Sequence, residues 1–202
     1  MAQLHLTLFG GFDARLEPGG PVVLPRKKAQ ALVAYLALRP GSRQPRDKLI
    51  ALLWGDCGDD EARHNLRQTI MVLRRSLGST ATPLLLAEGE TLAVNAAAAS
   101  VDVPRFESLV LDGNPEALRR ASELYLGDLL EGLTVKEAAF EEWLRAERAR
   151  LREQARAGLT RLLDHEATTG DGEQAIQTAV RLLAFDPLQE SVHRTLIRLH
   201  AR

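Results

Sequence analysis

A single cysteine, Cys57, in 202 residues leaves no partner for an internal disulfide and excludes a multi-cysteine zinc site. The compartment to expect is a reducing cytoplasm. No apolar run approaches the roughly 20 residues that cross a bilayer. Met1-Ala2-Gln3 leads directly into a strand pattern rather than a signal peptide, so cytoplasmic residence without a membrane partner is expected. There is no G-x-G-x-x-G and no Walker motif ending in Lys-Ser/Thr. Gly10-Gly11 therefore reads as a turn and not as a phosphate cradle. No nucleophile–base–orienter set is visible, so the expectation is a non-enzyme with no catalytic residues and no cofactor. His193 and His200 stand seven apart on one helix, too far for a ligand pair without a third partner, and no metal site is expected. Neither sign of charge dominates: the net charge is −1, and the whole chain gives no hint of a nucleic-acid partner.

Hydrophobic residues make up 45% and charged residues 26%, as in ordinary globular proteins, and the length suits one large domain or two small ones. Charge divides unevenly between the halves. Residues 1–100 carry 12 Lys+Arg against 9 Asp+Glu, and residues 101–202 carry 14 against 18. A mildly basic half joined to an acidic half fits a DNA-binding module attached to something else.

Leu4 to Phe9 alternates apolar and polar residues before Gly10-Gly11, the pattern of a strand ended by a turn. Phe12 to Leu16 suggests a second strand. Glu17-Pro18-Gly19-Gly20-Pro21 is a turn signal, and Val22-Val23-Leu24 suggests a third short strand. Pro25 opens a helical segment from Arg26 to Leu38, with Ala29, Leu32, Val33 and Leu36 at helical spacing. Arg26, Lys27 and Lys28 crowd its first turn, where the helix dipole disfavours cations. A DNA phosphate would neutralise such a cluster, and plain solvent exposure accounts for it equally well. Pro45-Arg46-Asp47 begins a shorter helix whose apolar surface is Leu49, Ile50, Leu52, Leu53 and Trp54, ended by Gly55-Asp56-Cys57-Gly58.

The next stretch has both ends marked. Asp59 or Asp60 caps the first turn, Arg74 and Arg75 lie in the last, and Gly78 is a natural residue for the C-terminal stop. Ala62, Leu66, Thr69, Ile70, Leu73 and Leu77 form one apolar stripe. Arg63, His64, Arg67, Gln68, Met71, Arg74 and Arg75 occupy the opposite face as long side chains able to reach phosphates and base edges. Residues 60–77 therefore read as a DNA recognition helix, against the plainer reading of a solvated basic face. A polar loop from Ser79 to Pro83 follows, then a hairpin from Leu84 to Val94 with Gly89 in its turn.

Strands, three helices and a terminal hairpin are the order of a winged helix-turn-helix. Residues 4–94 resemble the OmpR-type winged helix of the antibiotic-regulatory-protein (SARP) transcription factors. The resemblance is carried by Leu49-Ile50-Ala51-Leu52-Leu53-Trp54-Gly55, Ala62-Arg63-His64-Asn65-Leu66-Arg67 and Leu73-Arg74-Arg75-Ser76-Leu77-Gly78. It implies that Arg63, His64, Arg67, Met71, Arg74 and Arg75 face the major groove of double-stranded DNA and that the residues around Gly89 form the wing. Two departures stand out: Glu88 and Glu90 put acid at the wing, and Met71 is an apolar side chain among polar readers.

Beyond the small-residue connector Asn95–Ser100 strand signals vanish. Pro104 to Leu111 suggests a short helix. Asn114-Pro115-Glu116 caps another that runs on from Ala117 to Leu126, and Tyr125 to Leu133 makes a glycine-punctuated bend. Lys136 to Thr168 is long and glycine-poor, with Phe140, Trp143, Leu144, Leu151, Ala155, Leu159 and Leu162 as its buried stripe. Its Arg145, Arg148, Arg150 and Arg152 alternate with Glu141, Glu142, Glu147 and Glu153, the pattern of a salt-laced solvent face. Helices over Glu173–Phe185 and Pro187–Arg202 complete a tetratricopeptide-like arrangement.

This half resembles the bacterial transcriptional activator domain of the same family. The residues are Val101-Asp102-Val103-Pro104-Arg105-Phe106-Glu107, Tyr125-Leu126-Gly127-Asp128-Leu129-Leu130-Glu131-Gly132, Glu142-Trp143-Leu144-Arg145-Ala146-Glu147-Arg148 and Phe185-Asp186-Pro187-Leu188-Gln189-Glu190-Ser191. The resemblance implies homodimerisation and contact with RNA polymerase as the domain's work. Stopping at Arg202 would leave Leu196, Ile197 and Leu199 exposed, which suggests a truncated regulator or a capping partner.

The expectation is thus an α+β winged helix-turn-helix with a small antiparallel sheet over 1–97, followed by an all-α tetratricopeptide-like domain over 98–202. Arg63, His64, Arg67, Gln68, Met71, Arg74, Arg75, Arg26, Lys27 and Gly89 are its candidate DNA contacts. The competing expectation is a protein-interaction or sensory module of a larger signalling protein that no longer reads DNA.

Overall fold

Leu4 and Leu6 in the first strand, and Leu8 just past its end, are buried one after another, and the rest of the amino-terminal sheet is built around them. The computed structural model describes residues 3–77 and 83–200. The chain divides into two compact units, Met1–Pro104 with Gly127–Arg148, and Arg105–Leu126 with Ala149–Arg202. The first unit takes in a segment from beyond residue 126 as well as the amino-terminal stretch.

In the first unit, β1 (Gln3–Thr7) pairs antiparallel with β2 (Asp13–Glu17), which pairs antiparallel with β3 (Gly20–Pro21). The third strand therefore lies ahead of the expected Val22–Leu24. The return strand forms directly after Gly19, with Leu16 opposite Gly20, and Leu24 instead turns its side chain into the core. A second correction concerns the connector after residue 95. Its end belongs to β7 (Ala99–Val101), which runs parallel to β1 with Leu6 opposite Val101.

Three helices follow the first strands. α1 (Lys27–Ala37) buries Ala29, Leu32, Val33 and Leu36, and α2 (Arg46–Leu53) buries Leu49 and Leu53. α3 (Asp59–Leu77) buries Ala62, Leu66, Thr69, Ile70, Leu73 and Leu77, the stripe its 3.6-residue period demands. Gly78 and the loop through Thr82 lie outside the described residues. β5 (Leu85–Glu88) and β6 (Thr91–Val94) form the expected hairpin, joined to β4 (Gln44–Pro45) in a second sheet of order β4-β6-β5. Glu88 pairs with Thr91, so Gly89 and Glu90 are the whole turn, and Gly89 adopts φ 52°, which a two-residue hairpin reserves for glycine.

The segment that returns to this unit is bound tightly to β1. Leu129 bridges Phe9, Leu130 N–H donates to the Leu8 carbonyl at 2.7 Å, and Gly10 N–H donates to the Asp128 carbonyl at 3.0 Å. Leu130 is buried with φ 51°, a left-handed conformation that a side chain disfavours. Arg148 holds it there, donating from Nε to the Leu129 carbonyl at 2.7 Å and from its terminal nitrogen to the Leu130 carbonyl at 2.8 Å. The solvated charge face expected around Arg148 is thus overturned: this guanidinium serves the backbone.

The described residues of the second unit form helices joined by short turns: α4 (Asp102–Asp112, from Arg105 on), α5 (Pro115–Leu124), the later part of α6 (Ala138–Thr169), α7 (Gly172–Phe185) and α8 (Glu190–His200). Asn114 caps α5 as expected, its side chain accepting from Ala117 N–H at 2.8 Å with Pro115 behind it. Leu159, Leu163, Ala175, Ala179, Leu182 and Val192 form a core to which Leu196 and Leu199 add their side chains, so of the three apolar residues expected to be bare on α8 only Ile197 is exposed. Arg150 pairs with Glu107, a further departure from a solvated face, whereas Arg152 stays exposed with its guanidinium 5.8 Å from the centre of the Phe185 ring. Glu166, 2% exposed, accepts from the Thr178 hydroxyl at 2.7 Å and from Arg119 at 3.3 Å.

Candidate nucleic-acid interface

With its apolar stripe inward, α3 leaves Arg63, His64, Arg67, Met71, Arg74 and Arg75 exposed and Gln68 half-buried. Offsets of four and seven residues keep Arg63, Arg67 and Arg74 within about 40° of one another around the axis, in a row spanning roughly 16 Å. His64, Gln68, Met71 and Arg75 fill the adjoining edge of the same face. None of the four arginines forms an ion pair with a described residue. That sets them apart from Arg15, Arg43, Arg119, Arg120, Arg150, Arg156 and Arg194, each of which has a carboxylate within 4 Å. Asp59, Asp60 and Glu61 in the first turn and Arg74 and Arg75 in the last both complement the helix dipole. Arg63 also lines a cleft of about 390 Å³ with Trp54, Cys57 and Asp59, where α2 turns into α3.

The cations at the start of α1 divide into two kinds. Lys28 Nζ is 2.5 Å from Glu137 and 5.5 Å from the centre of the Trp54 ring, so its charge is met inside the unit. Arg26 and Lys27 are exposed, ion-pair with no described residue, and have no acid beside them in the first turn of α1. The local sequence gives no sign of this division. It depends on Glu137, 109 residues away from Lys28.

At the hairpin, Glu88 is bridged by Arg43 at 2.6 Å, which offsets one of the two acids that the sequence places there. Glu90 is exposed, and its carbonyl accepts from Arg46 N–H at 2.9 Å, tying the turn to the start of α2. Gly89 is exposed at the tip. The seven residues of α3 thus share one helix face, whereas Arg26, Lys27 and Gly89 come from the α1 start and the β5–β6 turn. Arg43 and Arg46, absent from the sequence expectation, support the hairpin, and the paired strands β4 and β6 are the signal that locates them. A row of uncompensated guanidiniums on a convex helix can pair with phosphate oxygens or, in fork geometry, with the N7 and O6 edge of guanine.

A model described as the bacterial transcriptional activator domain matches residues 101–202. No curated protein matches the sequence. Among solved structures, the chain is similar to Mycobacterium tuberculosis EmbR in complex with a low affinity phosphopeptide, with a TM-score of 0.77 and 20% identity. That superposition covers 99% of this chain and 55% of the other, so the chain spans about half the length of the protein whose fold it shares. Among the described residues no helix is long and apolar enough to cross a membrane.

Proposed function

The chain belongs to the bacterial transcriptional activator domain family, and from that premise we propose that it is a transcriptional regulator that binds double-stranded DNA in sequence-specific fashion through α3. In this reading α1, α2, α3 and the β5–β6 hairpin act as a winged helix of the SARP type. α3 lies in the major groove, Arg26 and Lys27 meet the phosphate backbone, and the turn at Gly89 is the wing. Arg63, Arg67, Arg74 and Arg75 supply phosphate and guanine contacts, while His64, Gln68 and Met71 adjust base preference. The helical second unit serves dimerisation or contact with RNA polymerase. The protein acts in the cytoplasm, without catalysis.

The observation that carries the reading is the row of exposed arginines on one face of α3, none of which ion-pairs with a described residue, so that four guanidinium charges stand together without a carboxylate against them. Such a face is left uncompensated at an electrostatic cost that an external polyanion relieves. The test is to capture genomic DNA fragments with the purified protein at physiological salt and sequence what is retained. Enrichment of a few fragments sharing a short motif is the expected result. Retention that mirrors the input pool, or none, would sink the proposal and leave a protein-interaction role for this unit.

A further inference from the structure

Met71 is the one large apolar side chain that α3 leaves exposed, at 61% of its surface. It sits on the outward face, one turn beyond Arg67 and one turn before Arg74 and Arg75. Nothing in α3 requires it there. The apolar stripe is complete without it, and a polar residue would solvate that position better. An apolar tip ringed by guanidiniums fits a surface that is anionic around its edges and carries an isolated apolar group between them. The major groove of DNA is such a surface, and the thymine 5-methyl is the apolar group that its base edges present.

Resting on the DNA-binding reading above, we propose that Met71 is a specificity-determining residue that packs its thioether against the 5-methyl of a thymine in the recognised site. The flexible, unbranched methionine side chain adapts to that methyl without a hydrogen-bonding demand. One helical turn, about 5.4 Å, corresponds to between one and two base-pair steps of about 3.4 Å. The thymine is therefore adjacent, or next but one, to a base pair contacted by Arg67 or Arg74.

The test uses a DNA fragment retained from the genomic pool, resynthesised with each thymine replaced in turn by deoxyuridine, which removes the 5-methyl and keeps the pairing. Wild type is expected to lose about three- to fivefold in affinity at one thymine per bound α3, the worth of one buried methyl. Met71→Ala should bind the unmodified fragment about as weakly as wild type binds the substituted one, and be indifferent to that substitution. Met71→Leu should retain the sensitivity. Uniform tolerance of deoxyuridine by a wild type that still selects the fragment overturns the Met71 assignment alone, as does undiminished sensitivity in Met71→Ala. Failure to retain any fragment overturns the DNA-binding reading and this inference together. Because Met71 is exposed, the variants should share the helical content of wild type by circular dichroism.

Discussion

Lys28 Nζ lies 2.5 Å from the carboxylate of Glu137, which is only 6% exposed, and this pair joins the start of α1 to the residue preceding α6. Removing the lysine strands a buried carboxylate, and removing one partner of such a pair costs about 3–5 kcal/mol. Lys28 itself is partly exposed, so Lys28→Ala should fall near the lower end of that range in urea denaturation. Lys27→Ala, one residue earlier and free in solvent, should stay within about 0.5 kcal/mol of wild type. Equal losses in the two variants would contradict the separation of structural from surface cations.

Asp102 accepts from Leu8 N–H at 2.8 Å and Phe9 N–H at 2.9 Å through one carboxylate oxygen, and from Val103 N–H at 2.8 Å through the other. Burial raises its pKa, and these backbone donors pull it down only in part. A carboxyl with a raised folded-state pKa binds its proton more tightly when folded. Its contribution to stability therefore falls as pH rises from the ordinary carboxyl value through the folded one, and acidification across that window restores it. The stability difference between wild type and Asp102→Asn should shift toward wild type as pH is lowered from neutrality through that window. A difference that is flat with pH would contradict the raised pKa. Asp102→Ala, which leaves buried N–H groups unmatched, should cost about 2–3 kcal/mol near neutral pH and more as pH is lowered through that window.

Arg148 offers a sharper test of backbone support. Arg148→Ala leaves the Leu129 carbonyl without its side-chain donor and the Leu130 carbonyl with only Leu133 N–H, at a cost of about 1–3 kcal/mol. Arg148→Lys should recover only part of this, since an ammonium cannot donate to two carbonyls in the fork geometry of a guanidinium. Full recovery in the lysine variant on thermal denaturation would show that charge alone matters at this position.

The contrast between α3 and Arg148 explains what was legible beforehand. Ala62, Leu66, Thr69, Ile70, Leu73 and Leu77 are buried as their spacing requires, because an amphipathic helix writes its orientation into a local period. Gly89 marked its turn for a similarly local reason. The link from Leu8 and Phe9 to Asp102 and the parallel strand at Ala99–Val101 join residues more than 90 positions apart, and no local pattern encodes them. Arg148 misled because alternating Arg and Glu looks the same whether a guanidinium meets solvent or a backbone carbonyl. At the interface, the residues of α3 could be chosen from periodicity, whereas separating Lys28 from Arg26 and Lys27 required the position of Glu137.

Glu90 is the acid at the hairpin tip that ion-pairs with no described residue, Glu88 being bridged by Arg43. If the tip approaches phosphates, Glu90→Gln should raise DNA affinity about two- to tenfold at low salt, with the gain shrinking as salt screens it. An unchanged affinity measured by filter binding would place the tip away from the backbone.

The central claim is that the arginine face of α3 binds DNA, and the most direct measurement is fluorescence anisotropy on a retained fragment from low to physiological salt, comparing wild type with Arg67→Ala. Wild type should show a steep salt dependence, and Arg67→Ala a weaker affinity with a log–log slope shallower by about 1. Binding that is indifferent both to salt and to the loss of Arg67 would contradict the claim.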